Sequence, residues 1–445
     1  MYKKYLLQGG VWALIGKVGV AVLSLFLSML LVRMLSAEEV GTYLLALNLV
    51  VFLSITGRFG LESSLLRLVA DASARGLHRR VYLSVLYGIV FTTLLCVIIG
   101  SLYYFSFSAL LVNAVDSELL ASVSWAIPFW TLLFSFQMII AELFRAFKNI
   151  RESVFFGGLL TSALTVSFFL LSEYFRLDLD ITLVLQAIIC LMLINVLMGV
   201  WKLGRKVVFM RGGEGTIAVS ELFYQSWPLY INALVFFLMS QSDLWILAYF
   251  GSDEDVAIYG IVARTVLIIA IGLTVINTIV SPLIAQHAAH GEWNLLERLL
   301  KVTSAIVAFP ALLCLLAFMI YSEEILKLLY GDIYAIGSNV LIILGISQVV
   351  SVLSGSCGAT LLMTGHKMTI MYIALASAII GISLSILLVG AYELEGVATG
   401  VLVGNLVCQL GALFAVKRFV GIWTYPSFLL MFKELEKYFR KQVKV

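Results

Sequence analysis

Three ionisable residues, Lys17, Asp243 and Arg264, fall deep inside long apolar runs of this sequence. A charge in the hydrocarbon of a bilayer is costly, so such residues are read first as functional, with structural pairing as the alternative. Lys17 lies eight residues into the first run, about 12 Å from its end at the helical rise. No acid stands within one helical turn of it, so it either faces a wet cavity or snorkels to the membrane interface. Asp243 precedes the end of the seventh run by seven residues, and Arg264 follows the start of the eighth by eight. The two runs are antiparallel across a tight turn. Both groups therefore sit at about 10–12 Å depth, and an ion pair is expected. That pair would serve as a substrate or proton site, or as a clamp between two helices. Asp243 is the candidate coupling or gating group.

A second set of charges, Arg58, Glu62, Arg67, Glu142, Arg145 and Lys148, gathers where two early runs end. Interfacial anchoring explains most of these. Arg58 and Arg145 could also line the mouth of a cavity, where guanidinium groups favour an anionic ligand. Pro228 and Pro282 lie inside runs seven and eight. Each removes a backbone hydrogen bond, which makes both candidate hinges for gating. Run seven also carries Gln225, Tyr230, Asn232, Gln241 and Ser242, the most polar content of any run, and is the first choice for lining a pathway.

The elements that must position these groups follow from composition. The chain has 445 residues, 62% hydrophobic and 12% charged, with a mean hydropathy of +1.06. So apolar a sequence is a membrane protein, each crossing needing about 20 residues. Twelve candidate spans are expected, at 9–33, 40–57, 82–105, 119–143, 154–174, 181–203, 222–250, 256–282, 302–321, 334–362, 369–391 and 396–416. The first has no small-residue cleavage site and is read as a retained span rather than a signal peptide.

The spans repeat. The turn Ser36-Ala37-Glu38-Glu39-Val40-Gly41-Thr42-Tyr43 is answered about 216 residues later by Ser252-Asp253-Glu254-Asp255-Val256-Ala257-Ile258-Tyr259. Leu68-Val69-Ala70-Asp71 is likewise answered by Leu283-Ile284-Ala285-Gln286. The expected domains are a six-helix half at 1–211, a second at 212–423 and an amphipathic tail at 424–445. Two similar halves with a site between them are the usual design of an alternating-access carrier. Aligned on the repeat, Asp243 and Arg264 stand opposite Leu27 and Asn48, so the charged pair breaks the symmetry.

Of the 29 basic residues, 24 fall in the ends and loops of one side, while the opposite loops carry most of the acids. By the positive-inside rule both termini are cytoplasmic. The net charge of +3 then reflects topology and gives no sign of nucleic-acid binding. In the tail, Phe428, Phe432, Leu435 and Phe439 alternate with Lys433, Lys437, Arg440 and Lys441. This reads as an interfacial helix held by anionic lipid, or else a solvated tail. The five cysteines lie in apolar spans without metal or disulfide spacing. No phosphate-binding loop, nucleophile triad or metal-ligand set is present, and the external loops are too short for a catalytic domain. Neither an enzyme nor a cofactor is expected.

The pattern resembles the multidrug/oligosaccharidyl-lipid/polysaccharide (MOP) exporter superfamily, in its polysaccharide transporter (Wzx-type O-antigen and capsule flippase) branch. The resemblance is carried by Glu39-Val40-Gly41-Thr42-Tyr43, Phe59-Gly60-Leu61-Glu62-Ser63-Ser64-Leu65-Leu66-Arg67, Asp243-Leu244-Trp245-Ile246-Leu247-Ala248-Tyr249-Phe250 and Leu362-Met363-Thr364-Gly365-His366-Lys367. It departs at Leu244, where relatives often carry a base. The resemblance implies an all-α integral membrane protein of twelve transmembrane helices in two pseudo-symmetric halves. It further implies a flippase for undecaprenyl-diphosphate-linked oligosaccharide in the bacterial cytoplasmic membrane. Proton or sodium coupling is open, and a polysaccharide polymerase is an eligible partner. Lys17, Arg58, Arg145 and Arg264 would then meet the diphosphate while the polyprenyl tail stays among membrane lipids. A cation-coupled drug exporter of the same superfamily and a polysaccharide polymerase or ligase are the alternatives.

Overall fold

A computed structural model describes residues 2–115, 117–212 and 214–433. Among them there is no β-strand. The helices are α1 (Tyr2–Met34), α2 (Ala37–Arg58), α3 (Leu61–Ala74), α4 (His78–Leu102), α5 (Ser108–Val115), α6 (Glu118–Val123), α7 (Ala126–Ala146) and α8 (Ile150–Val154). They continue as α9 (Leu160–Tyr174), α10 (Ile181–Val208), α11 (Val219–Phe250), α12 (Asp253–Ala289), α13 (Trp293–Tyr330), α14 (Ser338–Ser354), α15 (Cys357–Met363) and α16 (Lys367–Phe419). Among the described residues ten helices are long and apolar enough to cross a membrane, or eleven if the bent pair Val219–Leu238 and Ser240–Phe250 is one span.

Each expected apolar run falls on helix, with three adjustments. Run four is interrupted by a turn at Ser124 and Trp125, so its long helix starts at Ala126. Run ten ends at Ser354, because Gly355 takes a left-handed φ of 69° that only a residue without Cβ adopts cheaply. Runs eleven and twelve are joined in α16, whose 53 residues would reach about 80 Å if straight. Glu393 breaks it at φ 45° and ψ −122°, and the limbs fold back on each other. A Cβ on Gly381 would lie 3.2 Å from the Gly400 carbonyl and 3.3 Å from Gly404 Cα. Glycine thus permits the close packing that helices need where lipid offers no hydrophobic drive.

The chain divides into two compact units. The first comprises residues 1–241 and 251–257, the second 242–250 and 258–445. In the first unit, α3 is not a free surface helix: Leu61, Leu65, Leu68 and Val69 are buried as it packs on α4 and α7. The first 23 residues of α11 also belong here. They run antiparallel to α2 through a ring contact of Phe52 with Phe237 and a 2.9 Å hydrogen bond from Asn48 to Gln241. At the α2–α3 elbow, Phe59 and Gly60 both adopt left-handed backbone. There Phe59 stacks on Tyr230 at 4.8 Å and meets Phe223 at 5.2 Å.

The repeated acidic turns are helix starts. Ser36 caps α2 by accepting from Glu39 N–H, while Glu39 accepts from Ser36 N–H at 2.9 Å. Ser252 and Asp255 form the same reciprocal pair at the start of α12. Their acids are therefore capping groups that also suit the helix dipole. Asp253 accepts from Ser117 at 2.5 Å and from Thr42 at 3.4 Å. A Cβ on Gly41 would overlap the Asp253 carbonyl, so these turns meet backbone to backbone.

In the second unit, the segment after α16 is pinned by Thr424 Oγ1 donating to Ser354 O at 2.7 Å and Ser304 Oγ donating to Thr424 O at 3.0 Å. Of the tail, Phe428 to Lys433 is helical, and Leu435, Lys437, Phe439, Arg440 and Lys441 lie outside the described residues.

Candidate functional site

The first unit gathers most of the basic site candidates. Gly16 lets α1 press on Val154 of α8, since a Cβ there would overlap that side chain. This sets the exposed Lys17 within the field of Arg145 on α7. Arg145 pairs with Glu142 at 3.0 Å. Glu142 in turn feels Glu62 and Arg58. Arg58 is buried, donates from Nε to Ser54 O at 3.1 Å and lies 3.9 Å from Glu62. Lys17, Arg58, Glu62, Glu142 and Arg145 thus form one electrostatic cluster at the ends of α2 and α7. Arg58 is neutralised and anchored, whereas Arg145 keeps its side chain 56% exposed and can meet a ligand. Glu62 and Glu142 each retain one buried carboxylate oxygen without a hydrogen bond.

The second unit holds Asp243, Arg264 and Pro282. Asp243 and Arg264 lie on the neighbouring helices α11 and α12. Asp243 accepts from Leu244 N–H at 2.9 Å and neighbours the buried phenol of Tyr259. Arg264 stands beside Tyr330, whose hydroxyl bonds Thr265 at 2.9 Å.

Pro228 and Pro282 both lie within continuous helix. The 53° bend of α11 falls between Leu238 and Ser240, well beyond Pro228. At Pro228 the helix meets the α2–α3 elbow instead. A Cβ on Gly60 would overlap the Ser226 carbonyl and lie 2.7 Å from Tyr230 N, and Ser64 Oγ sits 2.6 Å from Ser226 Oγ.

Two polar networks escaped the search for charges. In the first unit Asn195 donates to Phe156 O at 3.1 Å and to Thr161 at 2.9 Å, and Thr161 donates to Gln137 at 3.2 Å. They surround a break in the helix at Gly158, where φ is 146°. In the second unit Asn405 donates to Ser347 and Ser351, and Gln409 donates to Ser351 at 3.2 Å. The sequence signal was present as carboxamides in the middle of apolar runs, but neutral side chains do not stand out beside charges. No group of His, Cys, Asp or Glu suited to a metal ion occurs among the described residues.

A bundle of long apolar helices with embedded polar networks and broken spans has the architecture of a multi-pass membrane transporter. The family model described as polysaccharide biosynthesis protein matches residues 6–288, more than half of the chain, and the MatE model matches residues 228–387. The chain belongs to the polysaccharide biosynthesis protein family. No curated protein matches its sequence. Among solved structures, it is similar to an inward-facing multidrug resistance MATE family transporter of the MOP superfamily. The TM-score is 0.75 at 14% identity, covering 92% of this chain and 98% of that one. The lipid II flippase MurJ, in an inward closed conformation, matches with a TM-score of 0.68 at 14% identity, covering 95% and 89%. A MOP superfamily transporter from Pyrococcus furiosus, described by a binding pocket of reverse polarity, matches at 0.65 and 14% identity, covering 94% and 96%. At such identities the likeness is one of fold.

Proposed function

We propose that this protein is a flippase carrying undecaprenyl-diphosphate-linked oligosaccharide from the inner to the outer leaflet of the bacterial cytoplasmic membrane. It would make twelve passes with both termini inside. The observation that carries the reading is the Arg145 guanidinium, 56% exposed at the end of α7, with the exposed Lys17 within its field and the buried Arg58 in the same cluster. Like charges held close favour a multiply charged anion, and a diphosphate has the charge and oxygen geometry to bridge them. The family match and the similarity of fold to a lipid II flippase support the same substrate class. Arg264 would add a further contact, and Asp243 would act in coupling to a proton or sodium ion, with Pro228 and Pro282 permitting the helices to flex. The test is deletion of the gene followed by complementation. Loss of surface glycan, with build-up of lipid-linked intermediate, is expected on deletion and with Lys17→Gln or Arg145→Gln at normal protein level. Normal glycan in both variants would refute the assignment of these residues.

A cation-coupled multidrug exporter is the second reading, favoured by the MatE match across residues 228–387. It predicts drug hypersensitivity on deletion with unchanged surface glycan.

A further inference from the structure

On the outer surface of the first unit, α4, α7 and α10 enclose an apolar groove of about 170 Å³. Its walls include Tyr82, Val85, Ile139, Leu143 and Leu203, and Gly204 forms part of its floor. Its α4 wall runs from Tyr82 to Ile89, seven residues and about 10 Å along the helix. That length is about a third of the 30 Å hydrocarbon thickness, so the groove fits within one leaflet. Cations stand at its mouth. Arg79 precedes Tyr82 by three residues and Leu86 by seven, which puts it on the lining face of α4. Lys206 and Arg205 flank the lining residues Leu203, Gly204 and Val207 of α10, and Arg211 follows that helix. Lys206 rests on the Phe147 ring and Arg205 on the Trp201 ring, each at 4.5 Å. Acids nearby are already engaged: Glu152 pairs with Lys202 at 3.3 Å, and Glu221 pairs with Arg80. Among the described residues, Arg79, Arg205, Lys206 and Arg211 have no ion-pair partner.

We propose that this groove is a binding site for an anionic phospholipid of the basic-side leaflet, one acyl chain lying against Gly204 and the phosphodiester held by Arg79, Arg205 and Lys206. Charge complementarity selects the occupant. An apolar slot alone would accept any lipid, whereas unneutralised cations at its mouth on two separate helices prefer a net negative headgroup. Aromatic rings beneath two of those cations hold them at interfacial depth, where the phosphate lies. Neither Lys17 nor Arg145 lines the groove.

Gly204 makes the idea testable, because a Cβ added there meets no atom within 4 Å. Gly204→Leu should fill the groove without disturbing the fold, and in a helix it exchanges a poor former for a good one. The purified full-length protein would be presented with phosphatidylglycerol or phosphatidylethanolamine in detergent, and retained lipid counted by native mass spectrometry. Wild type should retain phosphatidylglycerol preferentially. Gly204→Leu should lose the retained lipid while keeping a monodisperse elution profile. Arg79→Gln combined with Lys206→Gln should abolish the preference, each neutralised cation lowering affinity for the anionic lipid about five-fold, while Lys367→Gln in the second unit leaves it intact. Equal retention of both lipids by wild type, or unchanged retention by Gly204→Leu, overturns the proposal. Displacement of bound phosphatidylglycerol by an equimolar polyprenyl phosphate also overturns it, by assigning the groove to the carrier lipid instead.

Discussion

The contact between the α2–α3 elbow and α11 can be tested by adding one methyl group. Gly60 and Gly76 have nearly the same left-handed backbone, φ 75° and 72°. An added Cβ at Gly60 would overlap Ser226 O, sit 2.7 Å from Tyr230 N and 3.1 Å from Leu229 Cβ, whereas at Gly76 it would meet nothing within 4 Å. Alanine at either site incurs the left-handed penalty of about 1–2 kcal/mol. Only Gly60→Ala adds overpacking, and because the obstructing atoms are helix backbone they cannot rotate away, so a further 1–3 kcal/mol, roughly, is expected. Gly76→Ala should therefore cost about 1–2 kcal/mol, and Gly60→Ala about 2–5 kcal/mol. Denaturant unfolding in micelles, followed by tryptophan fluorescence, measures both against wild type. Equal losses for the two variants would refute the idea that the elbow presses on α11. A larger loss for Gly76→Ala would overturn the backbone argument as well.

Three other outcomes follow from the same geometry. Exchanging the charges, Asp243→Arg with Arg264→Asp, tests the expected pair: a clamp between the two helices should regain the transport lost in each single variant, and failure of rescue in a surface-glycan assay would count against the pairing. Ser117→Ala removes a hydrogen bond to the Asp253 carboxylate worth about 1.5–3 kcal/mol, and should lower the unfolding midpoint clearly more than Ser122→Ala, whose exposed hydroxyl bonds only Leu119 O. Asn405→Leu deletes donations to Ser347 O at 2.7 Å and to the Ser347 and Ser351 hydroxyls at 2.9 Å. At about 0.6 kcal/mol each within a membrane, the loss should total about 1–2 kcal/mol, and an unchanged melting temperature would count against the network.

The pattern of apolar runs made most of the helices legible, because each crossing needs its own length of hydrocarbon-compatible sequence. The shared helix start was legible too, since Ser36 to Glu39 and Ser252 to Asp255 repeat a local capping device that needs no tertiary context. Direction around a helix was not. Depth places Asp243 and Arg264 at one level along two helices, but spacing alone gives no direction for either side chain. Pro228 suggested a hinge by its chemistry, but the bend of α11 lies near residue 239, and only tertiary packing reveals Gly60 against Ser226. The cluster of Arg58, Glu62, Glu142 and Arg145 was anticipated from shared helix ends. That Lys17 joins it depends on Gly16 admitting Val154, which spacing could not show.

The membership of α11 in both compact units bears on how the polypeptide is made. Residues up to Gln241 are needed to cover Phe52, Phe59 and the Gly60 elbow. A nascent chain with only its first six spans inserted would expose that seam to lipid or to chaperones until the seventh emerged. Fragment complementation should reflect this. A pair split within residues 212–218 would begin with one partner lacking its cover, and assembly would depend on capture of α11 from the other.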